Sequence, residues 1–122
     1  MPITRNTLLA KTTQTAATAN AGVSVSGITG DFTIKLRVDS ITPGASAKIQ
    51  IEETTNGFTT TYTVFKQDFV NALPPEGTTV SYRKYQSETT SLAGQAGAQF
   101  RVNLIELNGT SPSITYEAWL ES

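Results

Sequence analysis

The sequence predicts an all-β chain, an antiparallel β-sandwich or jelly roll of about seven or eight strands with at most one short helical turn. Three observations carry that prediction. Apolar residues recur at every second position in several separate stretches, the period of a half-buried strand. Clusters of Gly, Pro, Asn and Ser punctuate those stretches, as reversals between strands require. The 122 residues suit one domain able to bury a core, and without cysteine that core must hold by packing and hydrogen bonding alone.

The chain opens with a different texture. "KTTQTAATANAGVSVSGITG" is small, polar and nearly uncharged, with a short strand signal only at "VSVS". Residues 1–30 are therefore expected to form a flexible amino-terminal arm that orders on a partner, and residues 31–122 the single sandwich domain. From Phe32, "FTIKLRVDSI" sets Phe32, Ile34, Leu36 and Val38 on one face and Thr33, Lys35, Arg37 and Asp39 on the other. Pro43 and Gly44 mark a turn, after which "AKIQIEE" alternates Ala47, Ile49 and Ile51 with Lys48, Gln50 and Glu52. The two strands are expected to pair as a hairpin. In "EETTNGFTTTYTV", Asn56 and Gly57 favour the positive φ angles of a two-residue turn between Glu53 and Thr59. Threonine, β-branched yet polar at its tip, suits the solvent face of a sheet.

Beyond that hairpin, "KQDFVNAL" is the one helical candidate, with Asp68 capping Phe69 to Leu73. "NALPPEGTT" reads as a loop, "VSYRKY" as a strand, and Ser87 to Ala98 as a long surface loop. In "AQFRVNLIEL", Phe100, Val102 and Leu104 alternate with polar residues; in "SITYEAWLES", Ile114, Tyr116, Ala118 and Leu120 share a face that Trp119 does not. "RVDSITPGASAKIQIE" from Arg37 and "RVNLIELNGTSPSITYE" from Arg101 echo one another and suggest two similar hairpins.

The chemistry is largely a set of exclusions. With no histidine or cysteine, Ser-His-Asp and Cys-His machinery is ruled out, as are zinc sites built on nitrogen or sulfur ligands. No phosphate-binding glycine loop and no calcium-loop spacing of Asp and Asn occurs, so no cofactor or metal is expected. Glu106 and Glu117 fall in neighbouring strands and Glu52 and Glu53 end another, an arrangement that would permit acid–base carboxylates roughly 5 to 9 Å apart. Strand glutamates are more commonly solvated edge charges, and the chain is read as non-enzymatic. A net charge of −1 with nine scattered basic residues offers no stripe for phosphates, so nucleic acid is not an expected partner. No apolar run is long enough for a membrane helix and "MPITRNTLLAKTTQ" lacks a signal-peptide core, so a soluble protein made in the cytoplasm is expected.

Three aromatic residues are the candidate interface. Tyr82 and Tyr85 flank Arg83 and Lys84, a grouping able to stack on a ligand, or else simply a core residue and a cross-strand pair. Trp119 is turned away from the core of its own strand. Either a loop or the amino-terminal arm covers it, or an oligomer interface does.

Taken together, "FTIKLRVDSI", "EETTNGFTTTYTV" and "AQFRVNLIELNGTSPSITYEAWLES" resemble small virion proteins of tailed bacteriophages, especially head-decoration or capsid-stabilising proteins. The resemblance implies a structural protein, commonly trimeric, located in the virion after synthesis in the host cytoplasm. It also implies contact with the major capsid protein or another virion protein, with an amino-terminal arm ordering on the capsid. A tail or neck component shares these features, and a carbohydrate-binding sandwich module using Tyr82, Tyr85 and Trp119 is the alternative.

Overall fold

The alternating stretches form strands in the computed structural model, which describes residues 5–25, 32–70, 79–84 and 95–121. In chain order these are β1 (Arg5–Gln14), β2 (Thr18–Ala19), β3 (Val23–Ser24), β4 (Phe32–Ile41), β5 (Ser46–Thr54), β6 (Tyr62–Val70), β7 (Thr79–Lys84), β8 (Gln99–Asn108) and β9 (Ile114–Glu121). All regular structure among the described residues is strand, and every pairing is antiparallel. One sheet has the order β1-β9-β4-β7; the other has β2-β8-β5-β6, with β3 also on β8. Since β2 and β3 together fill one strand position, the described strands fill eight positions. The ladders β1·β9, β2/β3·β8, β4·β7 and β5·β6 are those of a long hairpin rolled into two sheets, which is a jelly roll.

That topology corrects the two expected hairpins. β4 and β5 lie in different sheets, as do β8 and β9, so each pair is an arch that spans the core. Alternation dictates which face of a strand is buried, not which sheet receives it. Both arches bury the face that the sequence assigned. Phe32, Ile34, Leu36, Val38, Ile114, Tyr116, Ala118 and Leu120 face Ala47, Ile49, Ile51, Phe100, Val102 and Leu104 across the sandwich. Phe32 and Phe100 meet edge to face, with ring centroids 6.0 Å apart. Each valine, leucine, isoleucine or phenylalanine among them, when fully buried, contributes about 1.5–3 kcal/mol.

The sequence echo has a structural meaning. The two arches pair with each other strand for strand, β4 on β9 and β5 on β8. Their corners touch: Thr42 N donates to Ser113 O at 3.0 Å, and Ser113 N donates back to Thr42 Oγ1 at 2.8 Å. Each corner carries a glycine at positive φ, Gly44 at 80° and Gly109 at 136°.

Three further expectations change. Arg5–Gln14, within the segment expected to be an arm, is a full strand along β9, where Leu8 is buried and Leu9 packs on the core. An edge strand needs only one or two buried side chains besides its ladder, so its composition can stay polar. Lys66–Val70, the start of the expected helical turn, continues β6 against Ser46–Gln50; Asn71 to Leu73 lie outside the described residues. The ladder offered by β5 satisfies those backbone groups where a lone helical turn would leave most unbonded. Finally, the reversal at Asn56-Gly57 occupies residues 55–61. Gly57 does adopt φ 67°, but Phe58 follows at 65°, and the loop is organised by Thr54. Its Oγ1 accepts from Asn56 N at 3.2 Å and Phe58 N at 3.1 Å and donates to Thr60 O at 2.6 Å.

A polar network spans the two sheets. Tyr116, 0% exposed, donates to Gln14 Oε1 at 2.5 Å and accepts from Asn20 Nδ2 at 3.1 Å. Asn20 Nδ2 also reaches Val102 O at 2.9 Å, and Gln14 Nε2 donates to Asn20 Oδ1 at 2.7 Å. Burial pushes the Tyr116 phenol up to about 12, against a smaller opposing effect of Asn20.

Candidate interaction surfaces

Trp119 stands on the outer face of the β1-β9-β4-β7 sheet, as its strand's alternation requires, yet only 7% of it is exposed. The cover comes from β1. The Arg5 guanidinium carbon lies 4.0 Å from the ring centroid, and Arg5 Nη2 is anchored on Glu117 Oε1 at 3.0 Å. The indole Nε1 donates to Glu121 Oε2 at 2.7 Å, while Lys35 Nζ lies 3.5 Å from Glu121 Oε1. The indole hydrogen bond first, then the Lys35 and Arg5 charges, hold the Glu121 carboxyl below its ordinary range against a desolvation cost. Of the two covers open to Trp119, the structure shows the intramolecular one. A partner would reach the ring only by displacing Arg5.

The same face continues as a row of paired charges. Asp39 forms ion pairs with Lys11 and with Arg37 Nε at 2.9 Å, and Lys11 is the main cause of its lowered pKa. Tyr82 sits in β7 opposite Ile34, one position out of step with the cross-strand row of Ser81, Lys35 and Trp119. Tyr85 lies outside the described residues. Tyr82 and Trp119 thus lie in different cross-strand rows of their sheet.

The carboxylates are separated as well. Glu117 is on the outer face of one sheet, while Glu106 is on the outer face of the other, bonded to Lys48 Nζ at 3.1 Å. The bond to Lys48 lowers the Glu106 pKa and the bond to Glu106 raises that of Lys48. Sheets in a sandwich are about 10 Å apart before side chains extend outward, so Glu106 and Glu117 cannot bracket one bond as acid and base. The expectation that they occupy neighbouring strands is corrected: β8 and β9 are consecutive but lie in opposite sheets.

Glu52 and Glu53 are not solvated edge charges. Glu53 is 2% exposed, opposite Phe100. Glu52, 5% exposed, accepts from Arg101 Nε at 2.6 Å, Gln50 Nε2 at 2.5 Å and Asn103 Nδ2 at 3.3 Å. Phe58 closes this cluster, its ring centroid 4.3 Å from the Arg101 guanidinium carbon. Phe58 leaves no room for a side chain at Gly22, where an added Cβ would lie 2.5 Å from Phe58 Cε2. A bulky residue at φ 65° is strained, and here its ring lies over the Arg101 guanidinium that pairs with the buried Glu52. The one local sequence feature at this cap is a phenylalanine inside a threonine run.

Among the described residues β1, β7, β2/β3 and β6 each pair on one side only, as the outer positions of the two sheets. β6 pairs only with β5, and its Tyr62 (54% exposed), Thr63, Lys66 and Asp68 are exposed. Among the described residues, no group of three or more acidic side chains is placed to hold a metal ion, and no helix is long and apolar enough to cross a membrane.

The described strands thus define a jelly-roll sandwich with salt-bridged outer faces. No family model matches the chain, and neither a curated protein nor a solved structure matches it significantly.

Proposed function

We propose that this chain is a non-enzymatic structural protein of a bacteriophage virion, decorating or stabilising the capsid as a symmetric homo-oligomer bound to the major capsid protein or another virion protein. The observation that carries the reading is the rolled jelly roll, an architecture shared by viral capsid and lectin domains, whose outer faces hold charges already paired within the chain. This is support by analogy of fold, joined to the texture of the sequence. A lattice of many copies needs only weak contacts from each subunit, because those contacts act together. The carbohydrate-binding alternative loses its main platform, since Trp119 is 7% exposed beneath Arg5.

Immunogold labelling of particles from the phage that carries this gene tests the proposal. Label on heads supports capsid decoration, and label confined to the neck or tail moves the protein to that component. Intact particles that carry no label refute a virion role.

A further inference from the structure

We infer that β6 pairs with β6 of a second copy of this chain, antiparallel about a two-fold axis at Gln67, so that the sheets holding β5 and β6 in the two copies become one. The inference deepens the homo-oligomer reading and rests on that part of it, but not on a virion location. β6 is nine residues long and, among the described residues, has a neighbour on one side only. An open strand edge presents backbone donors and acceptors to another strand. Gln67 Nε2 donates to the Asp68 backbone oxygen at 3.1 Å in an exposed position.

The sequence of β6 selects its own copy as occupant. In a two-fold antiparallel pair viewed down an axis normal to the sheet, the axis must pass through a residue; between residues it would oppose outward and inward positions of the pleat. Centring on Lys66 would set Lys66 against Lys66, and centring on Asp68 would set Asp68 against Asp68, both repulsive. Centring on Gln67 sets Lys66 against Asp68 of the second copy twice over, with Phe65 opposite Phe69 and Val64 opposite Val70. Lys66 and Asp68 are both exposed, in register with Gln50 and Lys48 of β5, and so stand ready for such a pair. Edge lysines usually keep strands of other molecules away; a lysine two residues from an aspartate does the opposite for an identical antiparallel strand.

The test is a charge-reversal pair read by light scattering at tens of micromolar. Wild type is expected to be a dimer. Lys66→Asp and Asp68→Lys each place like charges together twice and should each weaken the dimer by roughly tenfold or more. An equimolar mixture of the two variants restores opposite charges at both contacts and should return to a heterodimer, which neither variant alone can mimic. Circular dichroism establishes that each variant is folded. If Asp68→Lys fails to fold beside Lys48, the doubly reversed Lys66→Asp/Asp68→Lys chain and Asp68→Asn take its place, the first expected to dimerise and the second to weaken by about threefold. A wild-type trimer, or a dimer unmoved by either reversal, overturns the β6 pairing and leaves the homo-oligomer reading standing. A wild-type monomer rejects both.

Discussion

Gly44 and Gly109 occupy equivalent corners of the two arches, and replacing each by alanine separates backbone strain from packing. At Gly44, φ is 80° and a Cβ would meet nothing within 4 Å. Gly44→Ala should therefore cost only the conformational penalty, about 1–2 kcal/mol. At Gly109, φ is 136°, farther from any conformation an L residue accepts readily, and the new Cβ would lie 3.1 Å from Ala45 Cα and 3.2 Å from Ala45 Cβ. Ala45 is 1% exposed at the opposite corner, so relief means separating the arches. Adding the overpacking penalty gives about 2–5 kcal/mol for Gly109→Ala. For a domain of this size each kcal/mol is worth about 4 °C of Tm, so differential scanning calorimetry should place Gly109→Ala roughly 4–12 °C below Gly44→Ala. Equal melting points, or a lower one for Gly44→Ala, would refute the claim that the two corners are packed against each other.

Three other outcomes are expected. Tyr116 carries a raised pKa, so its contribution is fully present below the unfolded value near 10 and is lost as pH rises toward 12, at up to about 1.4 kcal/mol per pH unit; denaturant melts across that window should show a steeper loss in wild type than in Tyr116→Phe. Arg101→Leu leaves Glu52 buried without its cation and should cost about 3 kcal/mol, whereas Lys48→Leu at a half-exposed pair should leave the urea midpoint nearly unchanged. Arg5→Ala uncovers the only tryptophan of the chain, so its emission should shift to the red and acrylamide quenching should rise with the fold intact; unchanged quenching would mean that Arg5 is not the cover.

Much of the sandwich is legible in its residues because a strand's period of two reports burial directly. Ile34, Leu36, Ile49, Leu104, Ile114 and Leu120 are all read from alternation and all are 0% exposed. Alternation is silent on partnership, which is why β4–β5 and β8–β9 read as hairpins although they are arches. β1 is hidden for another reason: its pairing with β9 is made by backbone groups that every residue possesses, and Leu8 and Leu9 are its main apolar signal. The site residues are harder still. Nothing local distinguishes Glu52, buried by an arginine 49 positions away, from Glu106, which remains half exposed beside Lys48. Trp119 reads correctly as facing away from the core, but its cover is Arg5, whose anchor Glu117 is 112 positions distant.

The rolled topology also sets the order in which this chain can become a protein. β5 and β6 are the one long ladder whose strands follow each other with a short loop between; every other long ladder joins strands separated by much of the sequence. On a ribosome adding about 5–20 residues per second, β1 and β4 both wait for Ile114–Glu121, because β9 is the strand that lies between them. Until it arrives, β4 with its apolar inner face and the largely polar β1 stand without their shared neighbour, and closing the sheet requires long loops to be ordered at once. Such a chain folds slowly and is most vulnerable to chaperone capture or misassociation while its first half waits for its last strand.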